Sequence, residues 1–240
     1  MEWTLSHFAI ATISVASGAL LQAATGLGAG LIVVPLLAML SLSLVPGPMI
    51  FASLALSTTM AIAGRQQIDF EGFKPLLGGL LLGTVVAAAT VAKLPLEKLG
   101  LLFGVMILLA VGLSLRQPRF NFSVGGCFGA GLLSGVMGTA AGIGAPVLAL
   151  LYQHHSGPTL RATLALLYCL SSLMMLALLH WAGRFGQAEL ISGLTLVPGF
   201  VIGYLISPRL AGFIDQGYAR PAVLILSSVS ALLLIGRSLF

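Results

Sequence analysis

Thr25-Gly26-Leu27-Gly28-Ala29-Gly30-Leu31-Ile32-Val33-Val34-Pro35 lies inside an uncharged apolar tract that runs from Ser6 to Leu40. Glycines this close together interrupt a helix, because each costs about 1 kcal/mol against alanine in a helix interior. An unbroken helix over the whole tract would reach ~52 Å at 1.5 Å per residue, against a hydrocarbon core of ~30 Å. A hairpin with its turn at the glycines is the better reading. Its second arm, about 14 or 15 residues, suits a re-entrant or partial span rather than a full crossing. The turn is therefore expected within the membrane.

A second copy, Gly138-Thr139-Ala140-Ala141-Gly142-Ile143-Gly144-Ala145-Pro146, lies in the other half of the chain, inside the tract Asn121 to Gln153. A shift of 112 sets Gly26 on Gly138 and Gly30 on Gly142, with Pro35 and Pro146 one residue out of step. In lipid, backbone groups freed by such breaks must face protein or a cavity, so two buried breaks, one per half, point to a binding site. The competing reading is close helix packing, which small residues three or four apart permit.

Composition sets the class. The 240 residues are 58% hydrophobic and 7% charged, with a mean hydropathy of +1.10; soluble domains carry about 25% charged residues. This is an integral membrane protein. Its apolar tracts lack the alternation of barrel strands, so an all-α polytopic architecture is expected. The net charge of +5 is spread without a basic cluster, which suits loops against an anionic bilayer and excludes a nucleic-acid partner. Cys127 and Cys169 sit in apolar stretches without metal-ligand spacing and read as buried small hydrophobes. The start, Met1-Glu2-Trp3 with no Lys or Arg before Arg65, does not read as a signal peptide.

Ten helical segments are expected, at 6–24, 27–41, 48–64, 72–92, 96–115, 122–137, 140–153, 159–181, 188–208 and 219–237. Further echoes link the halves: Gly64-Arg65 with Gly183-Arg184, and Gly79 and Gly83 with Gly199 and Gly203 at a shift of 120. We read two five-segment repeats, 1–119 and 120–240, joined by Arg116-Gln117-Pro118-Arg119. Because five is odd, the second half enters from the opposite side, giving inverted topology. Lys93, Lys98, Arg184 and Arg237 fall on the side of the termini. Arg65, Lys74, Arg116, Arg119, Arg161, Arg209 and Arg220 fall on the other. The positive-inside rule then puts both termini outside the cytoplasm.

All six acids (Glu2, Asp69, Glu71, Glu97, Glu189, Asp215) fall at the terminus or in predicted loops. A cation carrier or proton relay places a carboxylate mid-span; an anion or a neutral solute is what remains. Helix N-termini beginning near Gly28 and Ala140 would offer unpaired amides to an anion. Candidate substrate-binding residues are Gln22, Thr25, Gly26, Gly28, Gly30, Ser134, Gly138, Thr139, Gly142 and Gly144 in the breaks, with Ser57 and Ser172 in the third and eighth segments. Ser53, Thr58, Thr59, Tyr168 and Ser171 lie nearby, and most such hydroxyls bond their own helix. Pro35 and Pro146 are read as structural breaks. Arg65 and Arg184 are either snorkelling charges or an anion-attracting vestibule. His154-His155 and His180 read as interfacial, and no metal or cofactor is expected.

The chain resembles the TauE/SafE sulfite exporters, also called toluene sulfonate uptake permeases. The resemblance rests on Gly26-Leu27-Gly28-Ala29-Gly30 with Pro35, and on Gly131-Leu132-Leu133-Ser134-Gly135-Val136-Met137-Gly138 through Gly142 to Pro146. It covers essentially the full length and departs from the pattern at Ala29 and across Thr139-Ala140-Ala141. It implies a transporter, in the bacterial inner membrane, for sulfite, organosulfonates or related small anions. Two other classes stand against this: a membrane assembly subunit without transport, and an intramembrane hydrolase using Ser134 with a histidine. Neither accounts for two matched glycine breaks.

Overall fold

The computed structural model describes residues 5–26, 29–116, 122–214 and 219–239. Gly28 and the joint at 117–119 therefore lie outside the described residues. The described residues form ten α-helices and no strand: α1 (Leu5–Thr25), α2 (Gly30–Leu40), α3 (Gly47–Ala63), α4 (Phe73–Lys93), α5 (Leu96–Arg116), α6 (Val124–Ala141), α7 (Ala145–Leu151), α8 (Gly157–Trp181), α9 (Gln187–Ile214) and α10 (Ala219–Leu239). Six of them, α1, α4, α5, α6, α8 and α9, are long and apolar enough to cross a membrane. Large apolar side chains such as Leu81, Val85 and Val86 on α4 and Ile202 and Leu205 on α9 stand exposed, as lipid-facing residues must.

Each expected hairpin forms, and its turn is a left-handed glycine. Gly26, with φ +77°, ends α1, and its N–H closes the helix on the Gln22 carbonyl at 2.8 Å. Gly142, with φ +75°, ends α6 and donates to the Gly138 carbonyl at 2.7 Å. Only glycine takes this conformation without steric cost, which is why it so often ends helices. The two turns lie 116 positions apart, so by conformation Gly26 corresponds to Gly142, not to Gly138 as glycine matching at 112 has it. Ala140 and Ala141 are good helix formers and extend α6 past the expected break, so the second arm starts at Ala145 rather than near Ala140. The arms are shorter than expected, 11 residues in α2 and 7 in α7.

The remaining glycines set the packing. A β-carbon on Gly79 or Gly83 of α4 would collide with the backbone of Phe128 or Leu132 on α6. One on Gly199 or Gly203 of α9 would do the same at Thr12 or Ala16 on α1. In both pairs the contact points advance together along the two chains, so the helices run parallel. Lipid gives no hydrophobic reason for helices to associate, and close backbone approach takes its place.

Pro146 sits in the first turn of α7, where its missing N–H costs nothing. Pro35 is different, because it lies inside α2 and leaves the Leu31 carbonyl without its usual donor. The hydroxyl of Ser227 on α10, fully buried, lies 2.5 Å from that carbonyl and 2.7 Å from the Val223 carbonyl of its own helix, so its one proton is shared between them. α10 is thereby fastened to the broken arm.

Candidate functional site

The two breaks meet. Gly30, the first residue of α2, lies against Gly142 and Ile143 so closely that a β-carbon there would overlap the Gly142 carbonyl. Beside this junction is a cavity of about 500 Å³, counted out to its mouth, walled by α1, α2, α3, α6 and α8. Of the candidate residues, Gln22, Gly30, Ser57, Ser134, Gly138, Gly142, Gly144 and Ser172 line it. Among the described residues, no charged side chain and no histidine does.

Three candidates lie elsewhere. The Thr25 hydroxyl donates to the Leu21 carbonyl at 2.8 Å, the back-bonding habit of helical threonines. Gly26 supplies the turn and a carbonyl rather than a wall. Thr139 is fully buried away from the cavity, with its hydroxyl unpartnered among the described residues.

Within the cavity the polar groups divide by what they have left to give. The Gln22 side-chain oxygen accepts from the Ala29 N–H at 2.8 Å, which fixes the amide and turns Nε2 toward Ser57, 3.4 Å away. Ala29 directly precedes α2, so one amide at that helix start is already taken. Ser134 donates to the Gly144 carbonyl at 3.0 Å, holding the second break to α6. Ser53 and Ser171 donate to carbonyls three residues back, Ile50 and Tyr168. Ser57 only accepts, and Ser172 has no hydrogen-bond partner among the described residues. The uncommitted donors among the described residues are therefore the second N–H of the Gln22 amide and the hydroxyls of Ser57 and Ser172. With its proton committed to Gly144 and no histidine beside it, Ser134 lacks the base that a serine hydrolase requires.

Tyr168 joins the two breaks. Its hydroxyl lies 2.9 Å from the Gly26 carbonyl and 3.5 Å from the Ala145 carbonyl, one from each half.

The matched arginines are not alike. Arg184 reaches the end of α4, donating to the Leu94 carbonyl at 2.6 Å and the Ala92 carbonyl at 3.3 Å, a structural cap that complements the helix dipole. Arg65 is exposed. The arginine beside the site is Arg161, on the first turns of α8, whose Nη1 lies 3.4 Å from the Ala24 carbonyl at the end of α1. Counting it only toward the Lys and Arg bias between the two sides missed this. The available signal was its position seven residues before Tyr168, on the same helix face.

His155 pairs with Asp69 at 2.9 Å, and Tyr152 donates to the Glu71 carbonyl at 3.2 Å, so the loop before α4 is tied to the loop before α8. Burial first, then Cys127, Asp69 and Glu71, pushes the Tyr152 phenol up, keeping it a neutral donor. The described residues hold no group of three or more metal-ligating side chains.

The two glycine breaks that carry the sequence resemblance thus meet beside one cavity. The family description Sulfite exporter TauE/SafE matches residues 10–234. The chain belongs to that family. No curated protein and no solved structure matches it. Membership makes the chain an integral multi-pass membrane transporter rather than an enzyme, with a small anion as its substrate class.

Proposed function

We propose that this member of the TauE/SafE family moves sulfite, an organosulfonate or a related small organosulfur anion across the bacterial inner membrane, binding it in the cavity at the paired breaks. The observation that carries this is the donor set: the Gln22 amide, Ser57 and Ser172 face one cavity from three helices, and among the described residues no carboxylate lines it. Sulfonate and sulfite oxygens accept hydrogen bonds and match such donors, while a cation would find no counter-charge there. Gly30, Gly138, Gly142 and Gly144 stand in the cavity's lining, and a side chain on any of them would meet packed neighbours, so they let the breaks and helices close around the donors.

The two halves, 1–119 and 120–240, act in this reading as inverted repeats. The pairing of α1 with α9, through Gly199 and Gly203, is echoed by that of α6 with α4, through Gly131 and Gly135 on one helix and Gly79 and Gly83 on the other. Tyr168, holding a carbonyl from each break, is the contact that would change as the halves rock.

The test is flux. Proteoliposomes of the purified protein are expected to take up labelled sulfite or a small sulfonate down its gradient, and protein-free vesicles are not. Absence of flux for sulfite, sulfoacetate and aromatic sulfonates alike, from monodisperse protein, would remove this reading.

A further inference from the structure

One face of α3 and one face of α8 run through two cavities, not one. On α3, Ser53 and Ser57 line the cavity at the breaks, and Met60, on the same face, lines a second cavity of about 550 Å³. On α8, Tyr168 and Ser172 line the first, and Arg161 the second. The end of α1 divides them. Arg161 touches this divider from the outer side, at the Ala24 carbonyl, and Tyr168 from the inner side, at the Gly26 carbonyl.

We propose that the outer cavity is a second anion site, in which Arg161 holds the transported oxyanion before it passes the end of α1 into the inner cavity. The proposal rests on the anion-carrier reading above. Among the described residues, Arg161 is the one charged side chain lining either cavity. It is half-buried and makes no ion pair among the described residues. Its structural duty is slight: one N–H at 3.4 Å from a carbonyl, out of the five a guanidinium carries. Arg184 shows what a committed cap looks like, with contacts of 2.6 and 3.3 Å. The inner cavity offers donors but no charge, so an oxyanion entering it from water loses solvation that nothing there fully replaces. A cation at the mouth offsets part of that loss and concentrates anions beside the entrance. Gln67 and Tyr204 line the same cavity and add polar side chains to the charge.

The opposite end of the molecule is built differently at the matching position. α3 opens on Gly47-Pro48 as α8 opens on Gly157-Pro158. Four residues after each glycine stand Phe51 and Arg161. Phe51 packs on the ring of Phe185 at 6.1 Å and closes against Gly193 of α9. An aromatic contact thus fills the place that, on the other side, is an open cavity with a cation. The Arg161 side is the anion's antechamber.

Sulfite concentration jumps on proteoliposomes adsorbed to a solid-supported membrane report binding and transport currents together. Arg161→Gln is expected to raise the half-saturating sulfite concentration at least about tenfold while leaving the maximal current within about twofold, as befits loss of a charged hydrogen bond. Arg161→Lys keeps the charge and is expected to recover most of the affinity. Added potassium gluconate should weaken the parent and barely move Arg161→Gln, because only the parent has a mouth charge to screen. Unchanged half-saturation in Arg161→Gln overturns the proposal, as does a lysine variant no better than glutamine. If Arg161→Gln is unchanged while Gln22→Glu loses its sulfite current, the inner-site reading survives and the outer site alone falls. A parent that gives no sulfite current removes both.

Discussion

Gly30 and Gly142, one from each half of the chain, are packed backbone to backbone. A β-carbon on Gly30 would lie 3.3 Å from the Gly142 carbonyl carbon and closer still to its oxygen. The same construction at Gly142 meets only side chains, Val34 at 3.4 Å and Met49 at 3.6 Å, but φ there is +75°. The two positions should therefore fail differently. Gly30→Ala has no flexible neighbour to displace and is expected to lose most folded protein, with Gly30→Val worse. Gly142→Ala carries a left-handed penalty of roughly 1–2 kcal/mol and should still fold, with a lowered melting temperature. Fluorescence-detected size exclusion with thermal challenge checks the order. Equal tolerance at both sites would mean the breaks are not in contact. From glycine spacing alone, valine at either position reads as a plug in a site that leaves folding intact; the packing at Gly30 removes that expectation.

Ser227 compensates Pro35. Proline takes away the donor that the Leu31 carbonyl would have, and the Ser227 hydroxyl, shared with the Val223 carbonyl, replaces it in part from α10. Ser227→Ala is expected to cost about 1 kcal/mol, with a matching fall in melting temperature. Pro35→Ala restores the helix's own N–H, so Ser227→Ala made in that background should cost distinctly less. Additive effects in this double-mutant cycle would show that the hydroxyl serves some other group.

The fold was legible where a physical rule acts on neighbours in sequence. Glycine clusters, the 35-residue tract and the scarcity of charge were enough for ten helices and two hairpins turned at glycine. Register was less legible: matching glycines by count set Gly26 on Gly138, whereas a left-handed φ, which spacing does not reveal, sets it on Gly142. The site was legible in part. Gln22, Ser57, Ser134 and Ser172 come to one cavity as their polarity in apolar surroundings implied, yet Thr25 turns back on its own helix and Thr139 is buried away from it. Arg161 and Ser227 act through partners 137 and 196 residues away, and one chain's local pattern carries no trace of that.

Both termini are expected on one face, outside the cytoplasm, from ten segments and the excess of Lys and Arg on the other side. The parallel run of α1 with α9 and of α4 with α6 is what this topology requires. Alkaline phosphatase fused after Phe240 should then be active and green fluorescent protein dark. The reverse result would turn the molecule over, placing the Arg161 cavity outside; fusions putting Leu5 and Leu239 on opposite faces would end the inverted-repeat reading.

Gln22 gives the sharpest test of what the inner cavity recognises. Its oxygen accepts from the Ala29 N–H and its nitrogen faces Ser57. Gln22→Glu keeps the first contact and nearly the same shape, but replaces the donor with an acceptor and a negative charge. Stability should change by less than about 1 kcal/mol if the carboxylate still accepts from Ala29, and by more if desolvation dominates. Anion flux should fall by at least about tenfold in either case, because like charge opposes entry and Ser57 loses its amide neighbour. Gln22→Ala separates the two effects: it removes the donor without adding charge, frees the Ala29 N–H, and is expected to reduce flux less while destabilising the start of α2 more. The decisive comparison is therefore flux against melting temperature for the two variants. If glutamate lowers stability and leaves sulfite flux near the parent's, the cavity at the breaks is not where the anion binds.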